Sequence, residues 1–279
     1  MKGTIESEVC RFVSLISTDA ANYVQSGFAN HAVTLVHYED SPRSQGAFCV
    51  VENEDCIIAY AVFSRYHHDE ALITLMANSL QRHLSPSETR EVCFNVYGRN
   101  TEIIQLAQSL GFATDMEGFH LQYDFAKEVE LPEITPLVEK GFSPDRLEEF
   151  LHLFDKAYYP LKVENGWSTE PSPKDQFLQS MLSYAADDRV RSFWIEDTLI
   201  GAYVIAGEYI RDFVILPDYQ NQGYGSRMLN HCIHRMANTM GMKRIFLRVA
   251  KSNSGAKRFY ERNHFVERSH FAEHTFVSK

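Results

Sequence analysis

The run "PDYQNQGYGSRML", Pro217 to Leu229, sets Gly223 and Gly225 between an apolar stretch and an amphipathic one. A strand that gives way to a helix through a glycine turn presents several backbone N–H groups to an anion, reinforced by the positive end of the helix dipole. Glycines there lack the Cβ atoms that would hold a phosphate off. The spacing is neither G-x-G-x-x-G nor G-x-x-x-x-G-K-[ST], so dinucleotide and nucleoside-triphosphate fingerprints are not met. By itself the pair of glycines also suits a purely structural strand end. Charge gathers in the same place: residues 211–279 hold 12 Lys/Arg against 5 Asp/Glu, a net of +7, whereas residues 1–128 hold 8 against 17, a net of −9. A basic segment beside such a loop suits an anionic ligand, and equally a solvated basic face.

Other chemistries are disfavoured. The chain as a whole is acidic, with a net charge of −10 and a pI near 5.6, and its basic segment has no aromatic interleaving or recognition-helix pattern, which argues against nucleic acid. The five cysteines are scattered, never in C-x-x-C spacing, and the twelve histidines show no ligand spacing, so neither a disulfide framework nor a metal is expected; "HHDE" at 67–70 reads as an exposed turn. No stretch approaches the length of a membrane span, and "MKGTIESEVC" is acidic rather than basic-then-apolar. The expectation is a soluble, cytoplasmic protein with no membrane partner and an unreadable oligomeric state.

The loop needs elements to hold it, and the second half supplies them in order. "FSPDRLEEFLHLFDKAY" offers Ser143 as N-cap, Pro144 at the first helical position and an apolar stripe of Leu147, Phe150, Leu151 and Phe154. A proline-broken segment (Pro160, Pro171, Pro173) containing Trp167 is expected next, then a second helix over "DQFLQSMLSYAAD". "RSFWIED", "LIGAYVIAG" and "YIRDFVILP" read as consecutive strands. Past the loop, "SRMLNHCIHRMANTM" is a helix stopped by Gly241, "RIFLRV" a strand, and "SGAKRFYERN" a last helix.

At 279 residues the chain is comfortable for two domains. The first half echoes the second. "FCVVENEDCIIAYAVFS" matches "FWIEDTLIGAYVIAG" at an offset of 143 to 145 residues, and "NTEIIQLAQSLGF" from Asn100 parallels "NSGAKRFYERNHF" from Asn253 at an offset of 153. Two such matches suggest an internal duplication, the difference of about ten residues being placed where the glycine loop would be. No glycine lies between Gly46 and Gly98. The join is expected in the polar stretch around 126–141, giving domains 1–128 and 129–279.

"VILPDYQNQGYGSRML", with Gln220, Gly223 and Gly225, resembles the Q/R-x-x-G-x-G/A signature of the GNAT superfamily of acyl-CoA N-acyltransferases. "NSGAKRFYERNHF" is similar to the family's N-x-x-A-x-x-F-Y-x-x-x-G-F segment, with Asn253, Ala256, Phe259, Tyr260 and Phe265 in place. His264 stands where the family usually has glycine, which predicts a strained turn. The resemblance implies an α+β (α/β three-layer) fold class: two tandem GNAT-like domains, each a mixed, mostly antiparallel twisted sheet flanked by helices. The first would be degenerate, without cofactor loop, and with Ala107 where Tyr260 falls in the second.

The resemblance also implies acetyl-CoA as cosubstrate in a splayed cleft between the domain's fourth and fifth strands. Gln220, Asn221, Gln222, Gly223, Tyr224, Gly225 and Ser226 would hold the pyrophosphate, and the backbone of Val214 and Ile215 would pair with the pantetheine and acyl carbonyl. Tyr260 matches the acid that protonates the departing thiolate; Asn253 binds cofactor or caps its helix. An amine acceptor must lose a proton before attack. Glu208 and Asp212, four apart on one strand and so on one face, are the candidate bases, although a surface role suits them as well. Tyr158, Tyr159 and Trp167 fall in the region that lines the acceptor side in the family. The expected reaction is transfer of an acetyl group to a primary amine of a small molecule, for which the acidic first half suggests a cationic one; the alternative is a non-catalytic acyl-CoA-binding or regulatory module.

Overall fold

A computed structural model describes residues 4–42, 44–64, 69–85, 88–126 and 137–276. The chain divides into two compact units, one of Met1–His120 with Arg268–Lys279, the other of Leu121–Glu267. The expected division at 128/129 therefore differs at the C-terminus, because the last strand of the chain groups with the first unit. Residues 127–136, most of the expected join, lie outside the described residues.

The first unit opens with helices α1 (Ile5–Val13) and α2 (Thr18–Ala29), followed by strands β1 (Val33–Ser41), β2 (Ser44–Glu52) and β3 (Cys56–Phe63). Helix α3 (Glu70–Gln81), strand β4 (Glu91–Tyr97), helix α4 (Thr101–Ser109) and strand β5 (Phe112–Tyr123) complete its sequential part. Asp69, from the "HHDE" stretch, caps α3 by accepting from the Leu72 N–H at 2.8 Å; His67 and His68 lie outside the described residues. The sheet runs β1-β2-β3-β4 and then takes in β11 (Phe265–Phe276), whose residues from 268 onward belong here, before β5. Strand β11 pairs antiparallel with β4 from Phe271↔Tyr97 to Phe276↔Val92. One sheet face packs Phe48, Phe63, Met76, Phe94 and Ile103, the other Val9, Phe12, Val24 and Tyr60.

After the end of β5, the second unit continues, within the described residues, with strand β6 (Val138–Lys140) and helices α5 (Leu147–Asn165) and α6 (Lys174–Ala186). Strands β7 (Val190–Ile195), β8 (Thr198–Ala206) and β9 (Tyr209–Ile215) follow where three apolar runs predicted them. Helix α7 (Tyr224–His234), strand β10 (Phe246–Ala250) and helix α8 (Ser254–Arg262) come next. The order is β6-β7-β8-β9-β10, with the end of β5 alongside β10, where the Tyr123 N–H donates to the Ile245 carbonyl at 2.9 Å. Phe150, Leu153, Trp194, Val204 and Val214 form its core under α5 and α6.

Two local expectations change. Ser143 precedes a 3₁₀ turn at Pro144–Arg146 without a side-chain cap bond, and α5 starts one turn later than expected. Pro160 does not end α5, which runs on to Asn165 and stops at Gly166 with φ 68°. Proline removes one donor and crowds the carbonyl four residues back, a cost that the helix carries one turn from its end.

The duplication has a more uniform register than the sequence matches suggest. The pairs α4 and α8, β5 and β11, and β3 and β9 all begin 153 residues apart, and β2 and β8 begin 154 apart. The offset of 143 to 145 had placed β2–β3 on β7–β8, one strand out, because every hairpin here reads as apolar strand, acidic turn, apolar strand. The ten-residue deficit at the loop disappears with it. His264 has φ 67° and Gly111, 153 residues earlier, φ 90°: both turns are left-handed, and the second repeat makes its turn with a histidine.

Candidate active site

The site of the second unit begins with a sheet that comes apart. Strands β9 and β10 run parallel but register at a single position, Phe246↔Tyr209, at their starts. Beyond it the pairing ends, and a cleft of about 590 Å³ lies along β9, between α5 and α8. One wall is Ala157, Tyr158 and Leu161 of α5; the other is Ala256, Phe259 and Tyr260 of α8. Asn165 at the end of α5 donates to the Ser252 hydroxyl at 2.9 Å, tying the two walls at one end.

The unpaired strand edge is specific. The Leu216 N–H donates to the Ile200 carbonyl at 2.8 Å, on the β8 side. Backbone groups alternate in direction along a strand, so Val214 also turns toward β8, while Phe213 and Ile215 turn toward the open side. Val214 was expected to offer its backbone; it contributes its side chain to the core, and Phe213 takes its place on the open edge. The Ile215 carbonyl accepts from the Gln220 side chain at 3.1 Å, leaving its N–H free on that edge.

The glycine loop follows. Asn221 has φ 59° and Gly223 φ 87°, and α7 starts immediately after. The backbone N–H groups of residues 221–226 find no acceptor among the described residues, the first return bond being Arg227 N–H to Gly223 carbonyl at 3.4 Å. Six consecutive unpaired donors at a helix start form an anion cradle. Gly225 serves a different end from the one expected of it: a Cβ there would lie 3.1 Å from Ile215 Cδ1 and 3.2 Å from Phe259 Cε2, so its bareness lets α7 sit against β9 and α8.

Tyr260 lines this cleft, its ring set against Phe213, Phe259 and Phe265 at 6.3, 5.2 and 5.7 Å between centroids. Its hydroxyl makes no hydrogen bond among the described residues, and burial, with Cys232 and Asp212 nearby, pushes its pKa up. Asn253 lines the cleft too, and its side chain caps α8 by accepting from the Ala256 N–H at 3.1 Å.

Asp212 stands on the other side of Tyr158. The Tyr158 hydroxyl donates to Asp212 Oδ1 at 2.8 Å. Burial raises the Asp212 pKa above the usual carboxylate range, against the lowering effects of Tyr158 and Arg211. Tyr158 is itself raised, first by burial and then by the Asp212 charge. A second pocket of about 340 Å³ is lined by Asp212, Phe154, Phe177 and Met181 among others, and Tyr158 lines both it and the first cleft.

Three expected residues fall elsewhere. Glu208 lies in the β8–β9 turn, paired with Arg244 at 3.0 Å, and lines neither cavity. It shares no face with Asp212, because β9 carries a bulge: Asp212 pairs with Val204 and Ile210 with Ile205, leaving Arg211 extra and breaking the period of two. Tyr159 points to solvent, 55% exposed, and Trp167 lies beyond the end of α5. Asp155 and Lys162 line the second pocket and were missed. They share the Tyr158 face at helical spacing, a signal lost when Pro160 was read as a break.

Residues 147–265 match the model of the acetyltransferase (GNAT) family. The match covers less than half of the chain, and over that segment the chain resembles a GNAT-family acetyltransferase domain. No functionally curated protein matches the chain in sequence. Among solved structures it resembles the GCN5-related N-acetyltransferase from Sphaerobacter thermophilus, 15% identical over 98% of this chain and 94% of that one, TM-score 0.59. The corresponding enzyme from Kribbella flavida is 13% identical, covering 100% and 98%, TM-score 0.54. A tandem GNAT protein from the clavulanic acid biosynthesis pathway is 11% identical, covering 99% and 95%, TM-score 0.51. At these identities the likeness is one of fold. Among the described residues no helix is long and apolar enough to cross a membrane, and no His/Cys/Asp/Glu group is arranged to hold a metal.

Proposed function

We propose that the second repeat, expected as residues 129–279, transfers an acetyl group from acetyl-CoA to the primary amine of a small molecule. One observation carries this reading. The unpaired donors of residues 221–226, the free edge of β9 and the unpartnered Tyr260 hydroxyl all belong to one cleft. The donors suit a pyrophosphate, and the strand edge suits a chain of amides lying beside it as another strand would. Acetyl-CoA would supply the acyl group activated as a thioester.

The chain's own residues then divide the work. Asp212, ionised, takes a proton from the amine, directly or through Tyr158 and water. The Ile215 N–H on the open edge is placed to hold charge developing on the carbonyl oxygen. As the N–C bond forms and the C–S bond breaks, Tyr260 gives its proton to the sulfur, and the second proton that the nitrogen sheds on becoming an amide restores the phenol. Its raised pKa keeps the phenol protonated, and the same desolvation makes a thiolate beside it a stronger base. Five free cysteines and the use of acetyl-CoA suit a cytoplasmic setting.

The first repeat is read as non-catalytic. Its strands β3 and β4 stay in register over seven pairs, from Cys56↔Glu91 to Val62↔Tyr97, so the pairing does not end early there as it does between β9 and β10. Ala59 and Ala107, at the 153-residue offset from Asp212 and Tyr260, are both fully buried in its core. Full-length protein given acetyl-CoA and a panel of amines should release free thiol. Tyr260→Phe is expected to lower kcat about a hundredfold with little change in the acetyl-CoA KM. Unaltered turnover would remove Tyr260 as the acid.

A further inference from the structure

We infer that the acceptor is an amino acid, a primary amine that carries a carboxylate and a compact apolar side chain, rather than a polyamine. This rests on the transferase reading and concerns the second pocket, between α5, α6 and β9. At about 340 Å³ it holds a small molecule, and Phe154, Phe177, Met181 and Pro173 give it an apolar side. Its charges balance: Asp155 and Asp212 face Lys162 and Arg211. A polyamine would bring further ammonium groups against the two cations, which carry like charge.

The cations are also left with donors to spend. The Lys162 ammonium spends one of its three donors on the Glu170 carbonyl at 3.4 Å and lies 3.9 Å from the Asp155 carboxylate, and the Arg211 guanidinium lies 3.5 Å from Asp212. Both carboxylate distances exceed that of a tight charge-assisted bond. Arg211 reaches the pocket only because of the bulge, which sets it on the same side as Asp212; an unbulged strand would turn it to the opposite face. Its ring partner Tyr184, 5.1 Å away, holds the guanidinium by its face and accepts one hydrogen bond, which leaves the rest of the fork for a carboxylate. Asp212 and Tyr158, the latter lining both cavities, receive the amine, and the apolar side receives the side chain.

The test compares L-phenylalanine with phenethylamine, the same body without the carboxylate, and with spermidine. With full-length protein and acetyl-CoA, kcat/KM for phenylalanine is expected to exceed that for phenethylamine by at least about tenfold. Arg211→Gln, and independently Lys162→Gln, should shrink that ratio through the KM for phenylalanine. A preference for spermidine or phenethylamine, or a ratio that both variants leave intact, overturns the inference. Calorimetry of phenylalanine with CoA-saturated protein separates the two readings. Binding that Arg211→Gln abolishes, without thiol release from any amine, supports the pocket assignment and sinks the transferase reading; absence of binding overturns the amino acid.

Discussion

Asp212 is the residue at which chemistry and stability oppose each other. Burial raises its pKa, so the folded state binds this proton more tightly than the unfolded chain does. Stability from this group is therefore largest below the unfolded carboxylate pKa and is lost as pH rises through the raised folded value. Above that value the ionised, buried group destabilises the fold, in the form that the proposed role as base requires. Asp212→Asn should raise the melting temperature at neutral pH, measured by calorimetry, and depress amine acetylation; a lower melting temperature would show that the carboxylate is held mainly by its partners. Tyr158→Phe removes the hydrogen bond that lowers Asp212, so the acid limb of the pH–rate profile should move to higher pH. That Tyr260 and Asp212 line cavities beside β9 was legible from the sequence, through the motif of the one and the place of the other before the loop. Arg211 was not, since a bulge shows only in pairing.

At the scale of elements, the loop and the turn after α8 test different physics. Gly225 is bare because α7, β9 and α8 converge on it, so Gly225→Ala should cost about 1–3 kcal/mol through forced repacking of Ile215 and Phe259. His264 holds a left-handed backbone that a side chain disfavours, so His264→Gly should stabilise by about 1 kcal/mol. Chemical denaturation reads both, and equal and opposite signs to these would show that the packing or the strain has been misjudged. The strand and helix pattern of the second repeat was readable because its strands are short apolar runs bounded by glycine or acidic turns and its helices carry apolar residues at helical spacing. Helix α5 was cut short at Pro160 because proline's local cost is visible in sequence, while the packing of Phe150, Leu153 and Phe154 that offsets it is not.

At the scale of the whole molecule, each unit is completed by a strand from the other half of the sequence. Residues 268–276 of β11 pair with β4 in the first unit, and the end of β5 lies alongside β10 in the second. A duplication visible as matching segments says which elements recur, but not to which copy the last strand of each repeat is given, because both closing strands are equally long and follow the same helix and turn. Cutting the chain at the expected 128/129 boundary therefore does more than remove a neighbour. Fragment 129–279 would lose Leu121 and Tyr123 from beside β10 and would carry a strand that is apolar on both faces, Phe271 on one and Ala272 and Phe276 on the other, with no sheet to pair it, an edge open to aggregation. It should express as insoluble or molten protein when made alone, and should recover thiol-releasing activity when co-expressed with residues 1–128. A fragment that is monomeric, with native near-ultraviolet dichroism and full activity, would show instead that the second repeat folds without its exchanged strand, and that the first repeat is dispensable to the site.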